Sequence, residues 1–150
     1  MPVAEAIRNW SWAYPLLSTL HIAGFGLLFG SIAVVDVAFL SRKAARVYAM
    51  RKLCSLILPW SAIGFFIACV SGGLMFLADA VAVAANPAFQ VKLSLILLAG
   101  LNAALLHLSP AWPWFSYDRS VVPSRLRLAA IASASLWLMA IAAGRMIAFV

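Results

Sequence analysis

The sequence predicts an all-α fold, a polytopic membrane protein with four transmembrane helices in one bundle and a short interfacial helix before the first. Three observations carry that prediction. The 150 residues are 66% hydrophobic and 10% charged, with a mean hydropathy of +1.05, far more apolar than a soluble domain of this length. Four apolar segments, Leu16–Leu40, Leu56–Val81, Val91–Leu108 and Leu126–Val150, each approach the ~20 residues that cross hydrocarbon as a helix. The net charge of +7 gathers between these segments rather than within them. One domain, residues 1–150, uses the whole chain.

Ahead of the first segment, Val3, Ile7, Trp10 and Tyr14 recur at helical spacing. They predict an amphipathic helix lying in the headgroup region, with Trp10, Trp12 and Tyr14 as an aromatic anchor. Pro15 suits the start of the spanning helix, where a missing backbone donor does no harm. The length of the first apolar run, with no basic start and no small-residue cleavage site, argues for an uncleaved span.

The first span carries His21, followed by Gly24, Gly26, Gly30 and Ser31, and then Asp36 near its far end. An ionisable residue inside a span is a functional-site hypothesis by default. Gly26 and Gly30 form a small-xxx-small interval at which another backbone can approach. Asp36 is expected to pair with the basic loop beside it, or to relay protons.

In the second span, Gly64, Ala68 and Gly72 recur every four residues and make one side narrow. Pro59 is expected in its first turns and Trp60 at the interface. Met75 comes out at the depth of His21 in this topology, and Asp79 follows at the outer end. The link Ala80–Gln90 is short, with the turn signal Asn86-Pro87.

The third span opens with Lys92, places Asn102 at mid-depth, where it needs a hydrogen-bond partner on a neighbouring helix, and ends with His107. An aromatic loop, Trp112 to Tyr117, follows. The fourth span is rich in Ala and Ser, with Ala140 and Gly144 at a close-packing interval and Arg145 and Met146 near its end.

Arg42, Lys43, Arg46, Arg51 and Lys52 lie between spans one and two, and Arg119, Arg125 and Arg127 around the link between three and four. Only Arg8, Lys92 and Arg145 fall on the other side, so the positive-inside bias puts both termini outside. The same distribution argues against a nucleic-acid partner. Cys54 and Cys69 are fifteen residues apart on one helix, over ~20 Å at the helical rise, so they cannot bridge each other. No Cys-x-x-Cys pair encodes a zinc site or covalent haem attachment.

Two histidines in a bundle invite bis-imidazole haem ligation, but depth counting separates His21 and His107 by on the order of 16 Å. His107 is therefore read as an interfacial residue or part of a separate inner site. At the outer ends the topology gathers His21, Met75, Asp79, Lys92, Arg145 and Met146. A b-type haem would take His21 as axial ligand and Met75 as a candidate second one, with Lys92 and Arg145 pairing the propionates. Copper through His21, Met75 and Met146 is the alternative, since imidazole and thioether suit Cu(I).

Leu20-His21-Ile22 with Gly24, Pro59, Gly72-Gly73 and Val91-Lys92-Leu93 together resemble the four-helix pattern of HemJ-type protoporphyrinogen oxidases and CopD-type copper-resistance proteins. Trp12, Tyr14, Pro15, Leu20, His21 and Gly24 also resemble the Trp-x-Tyr-Pro…Leu-His-x-x-Gly start of small bacterial four-helix proteins. The resemblance covers three of the four spans. It implies a bacterial inner-membrane bundle that binds haem and needs His21 and Lys92. The fourth span has no counterpart of the polar Asn-Glu-x-Pro start of the HemJ type, which weakens the implied oxidase activity more than the fold or the haem.

The expectation is a haem b protein of electron transfer, a membrane oxidoreductase or redox subunit with a protein redox partner or a second copy of itself. A cofactor-free anchor subunit and a copper transport or tolerance protein are the alternatives. No phosphate loop, nucleophile-and-base pair or paired carboxylates point to a soluble-type enzyme.

Overall fold

The computed structural model describes residues 5, 7, 9–40, 47–109 and 123–149. They form four long helices and one short one, with no strand among them: α1 (Ala13–Leu40), α2 (Val47–Ala78), α3 (Ala80–Ala85), α4 (Pro87–Leu108) and α5 (Ser124–Met146). The chain is a multi-pass membrane protein by the length and apolarity of α1, α2 from Lys52 onward, α4 and α5, all long enough to cross a bilayer. The expected interfacial helix, the basic segment 41–46 and the aromatic loop fall largely or wholly outside the described residues. Trp10, Trp12 and Tyr14 are exposed, as an aromatic anchor requires.

Helix α1 packs against α2 and α5, and α5 against α4, giving the order α2–α1–α5–α4 across the bundle. The burial pattern explains why. On α5 the buried residues are Leu126, Ala130, Ser133, Trp137 and Ala140, alternately four and three apart, the period that keeps one seam facing a partner. Helix α1 buries Gly24, Leu28, Ser31, Val35 and Phe39 at similar spacing. Outward-facing positions such as Ile22, Val37, Phe66, Leu97 and Leu128 are apolar and exposed, as lipid-facing positions are. The chain is therefore apolar all round, and periodicity lies in side-chain size rather than polarity.

Small residues set the closest approach. A Cβ on Gly64 would stand 2.5 Å from the Leu28 backbone nitrogen and 2.6 Å from the Gly24 carbonyl oxygen, and one on Gly24 would stand 2.9 Å from the Ala68 nitrogen. The Gly64–Ala68–Gly72 side is thus the face on which α1 lies. The Gly26 and Gly30 interval, by contrast, meets no neighbour within 4 Å.

Two interior clusters fill the bundle. Leu28, Ala99 and Trp137 gather Phe25, Phe29 and Ile96, with Phe25 edge-on to Trp137 at 6.0 Å between centroids. Val35, Phe39, Cys54 and Ala130 gather Ile57, Leu58 and Leu106. Asn102 finds the interhelical partner it needs, its Nδ2 donating to the Ala129 carbonyl of α5 at 3.0 Å.

The helix ends differ from the sequence expectation at two places. Helix α2 begins at Val47, so Pro59 lies well inside it rather than in its first turns; with no N–H, Pro59 leaves the Ser55 carbonyl without its helical donor. The reason is that the helix runs on through the polar residues beyond the apolar run. The link between α2 and α4 is also more ordered than a turn. It forms the short helix α3, and Asn86 caps α4, accepting from Phe89 N at 3.1 Å and donating through Nδ2 to the Ile147 carbonyl at 3.2 Å. Pro87 then takes the first helical position, where its ring geometry is pre-set for a helix.

Candidate functional site

His21 sits on the seam of α1 one turn before Gly24, and on α2 the residues that receive it are Ala68, Ser71 and Gly72. Its Nδ1 lies 2.9 Å from the Ala68 carbonyl oxygen. A carbonyl can only accept, so Nδ1 carries the proton and Nε2 holds a free lone pair. Gly72 makes room for the ring: a Cβ there would lie 2.8 Å from His21 Cε1 and 3.0 Å from Nδ1. Ser71 Oγ is 3.4 Å from Nδ1 and gives its own proton to the Ile67 carbonyl at 2.6 Å. Nε2 makes no hydrogen bond among the described residues and is not sealed inside the protein.

Met75 lies one turn beyond Ser71 on the same helix and is partly buried. Cys54, Ile57, Ser61, Gly64, Ala68, Ser71 and Met75 stand alternately three and four apart on α2, and all are buried or partly buried, as are Leu74 and Phe76 on either side of Met75. By that spacing Met75 falls on the same side of α2 as the residues that hold the imidazole. Lys92 enters from the other side. It is partly buried near the start of α4, and its stem lies along Gly144 of α5, where a Cβ would meet Cδ, Cε and Nζ at 3.4 Å each. The Lys92 ammonium is close enough for its charge to act on His21. The structure thus brings His21 and Lys92 to one end of the bundle, on different helix pairs.

Arg145 and the remaining candidates stand further out. The Arg145 guanidinium lies over the Phe149 ring, 5.2 Å from its centroid, and the side chain is exposed, as are Asp79 and Met146. His107 is fifteen residues beyond Lys92 on α4, about 22 Å along the helix. It is exposed, with Nδ1 2.8 Å from the Ala103 carbonyl of its own helix. Sequence depth counting had already separated it from His21. What the sequence did not disclose is the Ala68 carbonyl, since a backbone acceptor leaves no mark in residue identity. The Gly72 notch was legible as a small residue, but not as the seat of the ring.

Among the described residues no group of three or more His, Cys, Asp or Glu side chains stands ready to hold a metal ion. A porphyrin iron makes a smaller demand, one or two axial protein ligands. A histidine whose Nδ1 is fixed on a carbonyl and whose Nε2 is free fits that demand.

Compared with known proteins, the chain matches no family model, and neither a curated protein nor a solved structure matches it significantly.

Proposed function

We propose that the protein binds b-type haem through His21 and serves in membrane electron transfer. The observation that carries this reading is the 2.9 Å contact of His21 Nδ1 with the Ala68 carbonyl. It fixes the tautomer and the ring plane and leaves Nε2 as the ligating atom, the arrangement by which a backbone acceptor orients a coordinating imidazole. Met75, on the same side of α2, is the candidate second axial ligand. Lys92 supplies a positive charge for a propionate, and Arg145, next in the chain to the Gly144 along which Lys92 lies, is the candidate second one. Bound haem would supply a one-electron carrier; the chain's own work is to hold the ring system away from water and to set its potential by burial and charge.

The basic residues between α1 and α2 and around the start of α5 support a cytoplasmic location for those links. His21 then lies towards the outer leaflet of a bacterial inner membrane, where a redox partner or a second copy would meet it. Copper is the weaker reading, because beside His21 and Met75 it calls on Met146, which is exposed near the end of α5. An anchor subunit is favoured by one observation: α4 buries only Ala99 fully, and Gly100 has open space beside it.

The test is a reduced-minus-oxidised spectrum of detergent-purified protein expressed with ample haem. The wild type is expected to show a haem band that His21→Ala loses. No band in the wild type, or one unchanged in the variant, refutes the assignment.

A further inference from the structure

At the end of the bundle opposite His21, Asp36 is a buried carboxyl that the haem reading leaves unused. It is fifteen residues further along α1, about 22 Å at the helical rise. Its side chain is 7% exposed, its Oδ2 is buried with no hydrogen-bond partner, and the buried Ser133 of α5 is near enough for its hydroxyl to act on the carboxyl. The sequence left two readings of it, a pairing with the adjacent basic loop or a proton relay. Among the described residues the contact that serves Asp36 is the serine, and segment 41–46 lies outside them.

We propose that Asp36 and Ser133 form a proton-binding site inside the bundle. An ionised carboxylate has about four lone-pair sites to satisfy, and a single hydroxyl serves it here. Stripping water from such a charge costs several kcal/mol on the usual scale. The neutral acid needs far less. One oxygen meets the Ser133 hydroxyl while the other carries the proton, and the hydroxyl can rotate between donating and accepting. The step takes a proton from hydronium onto a carboxylate oxygen and leaves water, so charge and atoms balance without any redox partner.

A metal ion is a poor occupant. Calcium takes six to eight oxygens, and magnesium demands octahedral geometry, whereas the buried neighbours of Asp36 on α1, Val35 and Phe39, belong to an apolar cluster with Cys54 and Ala130. The titratable and charged groups on the packed helices at this end, among the described residues, are few. Helix α2 offers buried Cys54 and exposed Lys52; α5 offers exposed Arg125 and partly buried Arg127, whose Nε is buried without a hydrogen-bond partner. His107 of α4 is exposed at the same end. Asp36 is four residues from the end of α1, about 6 Å of rise, so a proton has a short path from that interface and the whole bundle between it and the other.

Infrared titration of the full chain in detergent tests this. The chain has only four carboxyl side chains, Glu5, Asp36, Asp79 and Asp118, so assignment is direct. A carboxylic-acid band that titrates in the wild type should vanish in Asp36→Asn and shift in frequency in Ser133→Ala. If Asp36→Asn does not fold, Asp79→Asn and Asp118→Asn, with aspartate isotope labelling to set Glu5 apart, identify the band by leaving it in place, and Ser133→Ala alone decides. Asp36 staying ionised across the titration overturns the proposal. So does a band that responds to Arg127→Gln and not to Ser133→Ala, since that result makes Asp36 the counter-ion of an arginine.

Discussion

Gly64→Ala should loosen the α1–α2 contact, and the structure allows its size to be worked out. The added methyl would stand 2.5 Å from Leu28 N and 2.6 Å from Gly24 O. Both are backbone atoms, so no rotamer change relieves the clash. Ordinary contact begins at 3.4 Å, so α1 must retreat by roughly 0.9 Å or the helices must twist apart. Overpacking of this kind typically costs about 1–3 kcal/mol, because neighbouring contacts lose much of their dispersion well over a gap of that size. Alanine is also the better helix former, by up to about 1 kcal/mol, which hides part of the loss. Gly73→Ala removes that ambiguity. Its methyl meets nothing within 4 Å, so it takes the propensity gain without the clash. The two variants should therefore differ in unfolding free energy by about 1–3 kcal/mol, read from reversible unfolding in mixed micelles. Equal stability would refute the claim that Gly64 sets the helix separation.

On the proposal that His21 holds haem, Gly72→Ala should act on ligation more than on the fold. Its methyl would press on the His21 ring, 2.8 Å from Cε1, and a side-chain tip can yield, so stability should fall less than in Gly64→Ala while the haem band shifts or weakens. A band identical to wild type would show that ring placement is not what Gly72 provides. The free cysteines give a check on the packing itself. Cys69 is exposed on its span and Cys54 buried, so Cys54→Phe should cost about 1–3 kcal/mol by overpacking while Cys69→Phe stays within about 0.5 kcal/mol; equal stability of the two would contradict the packing of Cys54 against Phe39 and Val35.

Hydropathy and charge made the four spans legible, and residue size the packing between them. The Gly64–Ala68–Gly72 interval marked the face on which α1 lies, and Asn102 announced an interhelical bond that Ala129 accepts. Helix ends were harder to place. The start of α2 was hidden because hydropathy marks the hydrocarbon, whereas a helix continues as long as its backbone bonds do, and Pro59 thereby moved from an end to the interior. The site was half legible. His21 and Lys92 stand out in any apolar run, but the partner of each is featureless in sequence, a carbonyl for one and the missing side chain of Gly144 for the other. Asp36 was legible as a carboxyl that pairs with the basic loop beside it or relays protons; the loop lies outside the described residues, and what the sequence does not mark is Ser133, its neighbour from nearly a hundred residues away.

The helix order α2–α1–α5–α4 bears on how the chain is built. Two helical hairpins meet chiefly along the single α1–α5 seam, so the first can close in the bilayer before the second is synthesised. Docking then waits for the last helix to emerge. Until it does, Asp36 has no Ser133 beside it and faces lipid or a transient partner. The final helix would thus complete the shielding of a polar group that the first carried into the membrane.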